Sequence, residues 1–291
     1  MTSLSASFSS HLSRWSTSVF TVMLLLAMGL SPTLAQDNGG SQANKKELTK
    51  QLKQSYAEGA KAGNNGNYEM AATKFEEALQ LAQQLELGST TQKIQSNLVS
   101  SLKSAGSQAL KNENYAAALS HFEKVLEYTE EDPGVYHNRG LALINMDSTE
   151  TALQSMQTAI QVGNETGNTK VAGLATERIR DHFLNKASTA LSAQNPSADK
   201  IEAALSALDE MRNYVDSNAE TLFYRSLALF ERGDYETAIS TAQQGLEMHQ
   251  GSRSDAAKYH FVIAESQMDL GNKQSACETF QSAAFGDYKA R

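Results

Sequence analysis

The chain has 291 residues, 40% hydrophobic and 20% charged, which is enough apolar matter for a core and too much for a disordered chain. Its 25 Lys and Arg against 33 Asp and Glu leave a formal charge of −8, which argues against a binder of nucleic acid backbones, since that needs a basic face. One cysteine, Cys277, excludes an internal disulfide framework and any multi-thiolate metal site, and three prolines, Pro32, Pro133 and Pro196, suit long helices better than many short strands.

Residues 1–18 are rich in Ser and Thr, contain Arg14 and hold no acid. An apolar run from Val19 to Leu30 follows. As a helix it would rise about 18 Å, too short for a hydrocarbon core of about 30 Å. Ser31-Pro32-Thr33-Leu34-Ala35 comes next, with small residues at Thr33 and Ala35. This order predicts a secretory signal peptide over residues 1–35, cleaved after Ala35. The alternative is an uncleaved signal anchor. The expected location is therefore outside the cytoplasm, the periplasm first, with secretion or signal anchoring as alternatives. Without residues 1–35 the chain holds 24 Lys and Arg against 33 Asp and Glu, and no membrane span is expected in the mature chain. Residues 36–46, QDNGGSQANKK, offer almost nothing to bury and predict a flexible leader. From Glu47 onward the pattern is helical, and residues 47–291 are expected to form one domain.

One unit recurs there. GNYEMAATKFEEAL (66–79), ENYAAALSHFEKVL (113–126) and GDYETAISTAQQGL (233–246) share Asn-Tyr or Asp-Tyr with Ala three residues later. Weaker copies occupy 147–160, 199–212 and 271–284. Aligned on Tyr68, Tyr115, Thr149, Ile201, Tyr235 and Lys273, the spacings are 47, 34, 52, 34 and 38, a 34-residue period with insertions. The pattern resembles the tetratricopeptide repeat, a helix–turn–helix of 34 residues, and the resemblance runs from about Glu47 to the C-terminus.

That resemblance implies an all-α, right-handed α-solenoid of about five to six units. A small residue marks each first helix: Gly59, Gly106, Gly140, Ser226 and Ala264. Ala71, Ala118, Ala152, Ala204, Ala238 and Ala276 mark the second helices, and Phe75, Phe122, Met156, Leu208 and Phe280 follow four residues on, with Ala242 the exception. Small residues let two helices approach, and the bulky residue one turn later fills the gap beside them. The insertions fall around Leu85 to Thr90, implying longer helices there, and around Gly163 to Asn168, read as a loop before a long helix from about Lys170 to Ala193.

Chemistry is sparse. No phosphate-binding glycine loop, zinc-protease motif or nucleophile elbow occurs. His121, His137, His182, His249 and His260 lack partners at metal-ligand spacing and read as helix-surface residues; Cys277 reads as a small buried hydrophobe. The acidic run Glu123, Glu127, Glu130, Glu131 and Asp132 reads as a solvated helix end. No enzyme activity, cofactor or metal is expected.

What remains is surface. The resemblance implies a concave side lined by first helices, able to take a peptide or helix. Register places Tyr56, Ala60, Lys103, Ser107, Leu110, His137, Leu141 and Ile144 there, followed by Phe223, Leu227, Phe230, Phe261, Glu265 and Met268. Lys103 and Asn138 also match two positions of a subclass that grips a peptide's terminal carboxylate, while Ser107 departs from it. The expected function is an exported, non-catalytic scaffold for a protein or peptide partner in a cell-envelope complex. The alternative is a periplasmic accessory subunit that binds a small ligand or glycan. Phe223, Leu227 and Phe230, with Phe261, Glu265 and Met268 beside them, are expected either to form an apolar strip in the groove or to pack internally.

Overall fold

The computed structural model describes residues 38–286. It divides into a unit that ends at Ala43 and a second that begins at Asn44; the second holds the architecture described here. The expected signal peptide, residues 1–35, lies outside the described residues. Among those residues there are twelve helices and no strand. They are α1 (Asn38–Asn64), α2 (Tyr68–Gln84), α3 (Gly88–Lys111), α4 (Tyr115–Leu126), α5 (Pro133–Ile144) and α6 (Thr149–Glu165), followed by α7 (Thr169–Ala190), α8 (Ala198–Met211), α9 (Ala219–Arg232), α10 (Tyr235–Met248), α11 (Arg253–Asp269) and α12 (Lys273–Ala283).

These form six antiparallel pairs stacked in chain order. Gly59 of α1 approaches Phe75 of α2, consecutive helices from α2 onward pack along the row, and longer-range packing joins α3 to α5, α5 to α7, α7 to α9 and α9 to α11. Odd-numbered helices thus approach one another past their even-numbered partners, so they occupy the inner side of the curve. The fold is an α-solenoid.

The expected register governs the packing. Ala71, Ala118, Ala152, Ala204, Ala238 and Ala276 are all fully buried. Opposite them Gly59 meets Phe75, Gly106 meets Phe122 and Gly140 meets Met156, each glycine too close to its neighbour for a larger residue to enter freely. In the fifth unit Ala242 stands where the bulky residue should be, and the volume comes from the next helix instead. Tyr259 of α11 packs on Gly245 and lies 5.7 Å, ring to ring, from Phe223. Burial pushes the Tyr259 phenol up to about 12.

Tight turns repeat as well. Gly66, Glu86, Glu113, Asp147, Gly167, Gly233 and Gly271 all have positive φ, each one residue before the N-cap of the next helix. The N-cap amide then reaches back five residues, as in Asn67 N–H to Ala62 O and Asn114 N–H to Ala109 O. This satisfies carbonyls that the helix end would orphan. Asn67, Asn114 and Asn168 accept from the amide three residues on and start the following helix.

Several expectations need correction. Residues 38–46, expected as leader, belong to α1. Gly163 is not in a loop: α6 continues to Glu165, and Gly163 is buried against Ala172 of α7. Both insertions are helical turns followed by a tight reversal at Glu86 or Gly167. α8 starts at Ala198, three residues before the aligned Ile201, after an irregular segment containing Pro196. Cys277 is exposed, because on α12, the last described helix, only Ala276 and Ala283 are covered.

Candidate functional site

Three recesses border α3. Its 24 residues contain Lys93, Lys103 and Lys111 and no acid. One recess of about 680 Å³ is lined by Tyr68, Lys103, Ser104, Ser107, Gln108 and Lys111. A second of about 500 Å³ lies on the other side, between Gln92, Ser96, Ser100 and Lys103 of α3 and Tyr128 and Thr129 beyond α4. A third, of about 270 Å³, reaches Ala60 and Asn64 of α1 and shares Tyr68 and Ser104 with the first and Ser100 with the second. The three meet around Ser100, Lys103 and Ser104. They adjoin one another as a groove along α3 on the inner side of the N-terminal half, with polar side chains set among the apolar surfaces of the Tyr68 ring and the lysine stems.

The local sequence explains its chemistry. Ile94, Leu98, Leu102 and Ala105 turn inward, while the polar positions of the helix carry hydroxyls, amides and three lysines. Ser96, Ser104 and Ser107 donate to carbonyls one turn back, to Gln92 O, Ser100 O and Lys103 O. Their lone pairs remain as acceptors for a ligand's N–H groups. Asn97 Nδ2 donates to the Tyr56 hydroxyl at 3.1 Å, tying α3 to α1. The Lys103 ammonium pairs with Asp132 Oδ2, while Asp132 Oδ1 caps α5 by accepting from Gly134 and Val135 amides at 3.0 and 3.3 Å. Lys111 has no ion-pair partner among the described residues.

Of the other residues singled out by sequence, Ala60 and Ser107 line this groove, whereas His137, Asn138 and the residues of α9 and α11 lie apart from it. His137 and Asn138 are half-buried on α5, with His137 Nδ1 3.3 Å from Asn138 Oδ1. Burial, and then the charge of Arg178, pull the His137 imidazole below its ordinary value, against the opposing Asn138 hydrogen bond. Asn138 does not join Lys103 in a recess; Asp132 occupies the lysine instead. Phe223 is buried in the core of the C-terminal units, and Leu227 and Phe230 pack against that core. The Phe230 ring lies 5.8 Å from Tyr235, and the Phe261 ring 6.1 Å from Phe280. Glu265 is half-buried, its carboxyl pushed up by burial and by Asp269, and Met268 is exposed. The geometry of Phe223 follows internal packing rather than an open strip.

Tyr68, Ser100, Ser104, Gln108 and Lys111 were not among the expected site residues. For the four on α3 the signal was present in the sequence as an acid-free helical stretch in an acidic chain, whereas Tyr68 of α2 carried none. Among the described residues no cluster of three or more His, Cys, Asp or Glu is arranged to hold a metal, and no helix is long and apolar enough to cross a membrane.

Residues 223–290 match the tetratricopeptide repeat family model, a span that includes most of α9 and all of α10 to α12. No curated protein matches the chain. Among solved structures it is similar to the TPR2AB domain of yeast Sti1 in its pHSP90 complex, at 17% identity over 84% of this chain and 90% of that one, with a TM-score of 0.32. It is also similar to a tetratricopeptide repeat protein from Parabacteroides merdae (11% identity, 80% of this chain, 92% of that one, TM-score 0.26) and to yeast Tom70 (15%, 75%, 56%, 0.26). The α-solenoid of this chain thus ends in two helix pairs that match a tetratricopeptide repeat model.

Proposed function

We propose that the protein is an exported, non-catalytic scaffold that holds a partner polypeptide in the groove of its odd-numbered helices, within a cell-envelope complex. One observation carries this reading. The recesses around α3 adjoin one another and carry hydroxyls, amides and ammonium groups along their walls. Such a lining can pair with the N–H and C=O groups of a peptide backbone, and concave surfaces of stacked helix pairs serve extended binding.

The scaffold reading is tested by placing a photo-crosslinking residue at Ser104, inside the groove, or at exposed Ser206 on α8. A polypeptide adduct from position 104 alone is the expected result. Adducts from both positions, or from neither, would overturn it. The second reading, an accessory subunit for a small ligand or glycan, is favoured by the same polar lining, which suits sugar hydroxyls. A melting shift with an added glycan, together with no polypeptide adduct, would select it. Export rests on residues 1–35 alone. Intact mass of the protein from its own cells should show a chain beginning at Gln36, and a membrane-held species retaining residues 1–35 would exclude cleavage.

A further inference from the structure

Charge is sorted between the two layers of the solenoid. The six odd-numbered helices carry seventeen Lys and Arg against nine Asp and Glu. The six even-numbered helices carry four against thirteen. A chain with a formal charge of −8 therefore has a basic inner layer and an acidic outer one. The excess is concentrated at the groove's end of the row: α1, α3 and α5 together hold nine basic residues and two acids, both in α1.

We infer that the partner's bound segment is an acidic stretch of polypeptide, with at least two carboxylates, lying along α3 between Lys103 and Lys111. The inference rests on the polypeptide reading above and adds the partner's chemistry. Lys103 and Lys111 line the same recess but lie eight residues apart, about 12 Å along a helix. One terminal carboxylate cannot serve both ammonium groups. An extended chain advances about 3.3 Å per residue and points alternate side chains the same way, so acids at i and i+4 match the spacing. The serine lone pairs between the lysines accept from backbone N–H groups. A nucleic acid backbone presents acceptors instead, and its long run of charge would meet the repulsion of the acidic outer layer. A short acidic stretch stays on the side of the odd-numbered helices, where it takes the place of the Asp132 carboxylate on Lys103.

The test is selection from a random twelve-residue peptide library displayed without free C-termini, against the protein as produced by its own cells. Enriched peptides should carry acids spaced by four residues. Their affinity should fall at least tenfold for Lys103→Gln with Lys111→Gln, as that variant keeps its melting profile, and should fall steeply with salt. Enrichment of neutral or basic peptides would overturn the acidic inference while leaving a polypeptide groove. No enrichment at all would overturn both readings. Tighter binding of a single-stranded oligonucleotide than of the selected peptides, or self-association abolished by the double substitution, would assign the groove to nucleic acid or to a second copy.

Discussion

Gly106 of α3 sits so close to the Phe122 ring of α4 that a methyl group on it would stand 2.7 Å from the ring edge. Phe122 is 1% exposed and has no space to retreat into. Gly106→Ala should therefore destabilise by about 1–2 kcal/mol in denaturant titration, since overpacking outweighs the gain in helix propensity. Gly63 of α1 is the control, because its added methyl would meet only Ala71 at 3.7 Å. Gly63→Ala should be neutral or stabilising by up to about 1 kcal/mol. Equal effects at both glycines would contradict the close approach.

The left-handed turns give a second pair of outcomes. Gly233 has φ of 90° and Glu113 of 60°, each just before the following N-cap. A side chain strains this conformation by roughly 1–2 kcal/mol. Gly233→Ala should lose about 1 kcal/mol, whereas Glu113→Gly should be neutral or gain up to about 1 kcal/mol, because relief of strain is partly offset by the freedom glycine regains on unfolding. A loss on Glu113→Gly would show that its side chain makes a contact worth more than the strain.

These turns also mark how far the sequence could be read. The alanine and glycine positions are a local, periodic signal, and all of them lie where the 34-residue pattern puts them. Signals that depend on a different unit were out of reach. Phe223 shares its register position with Lys103, yet it is core because Tyr259, two helices away, fills the space left by Ala242 and Gly245. Cys277 follows a buried alanine and is still exposed, because among the described residues no further helix packs on that face of α12. The groove lies between these cases. The absence of acid from residues 88–111 is legible in the sequence, but the meeting of Tyr68, Lys103 and Thr129 around one helix is a property of the stacked units.

The half-buried histidines give a dependence on pH. His137, His182 and His260 all lie below their ordinary values, chiefly because burial disfavours the cation. Their folded forms favour the neutral ring. Stability from them is present above the ordinary histidine value and declines as pH falls through about 6.5 toward the lower folded values. Glu231 and Glu265 act in the opposite sense, since burial raises both carboxyls and their protonation favours folding only in the acid range. The melting temperature should thus fall between pH 7.5 and 5.5, and His137→Gln should reduce that fall. An unchanged melting temperature across the interval would mean that the imidazoles remain as solvated as in the unfolded chain.

Asp132 joins stability to binding, and its two oxygens can be separated by substitution. Oδ1 caps α5 through the amides of Gly134 and Val135, while Oδ2 holds Lys103 at the shared wall of two recesses. Asn accepts the same cap hydrogen bonds as Asp, and a partly exposed ion pair contributes about 1 kcal/mol or less. Asp132→Asn should therefore change stability by no more than about 1 kcal/mol. Asp132→Ala removes the cap as well and should cost about 1 kcal/mol beyond that. In the groove the sign reverses. Removing the carboxylate frees the Lys103 ammonium and takes a negative charge from the recess edge, so Asp132→Asn should bind the selected acidic peptides more tightly than the parent protein, most clearly at low salt. Fluorescence anisotropy with a labelled peptide reads the change directly. Weaker binding by a variant with a normal melting profile would mean that Asp132 orients Lys103 for its ligand rather than competing with that ligand.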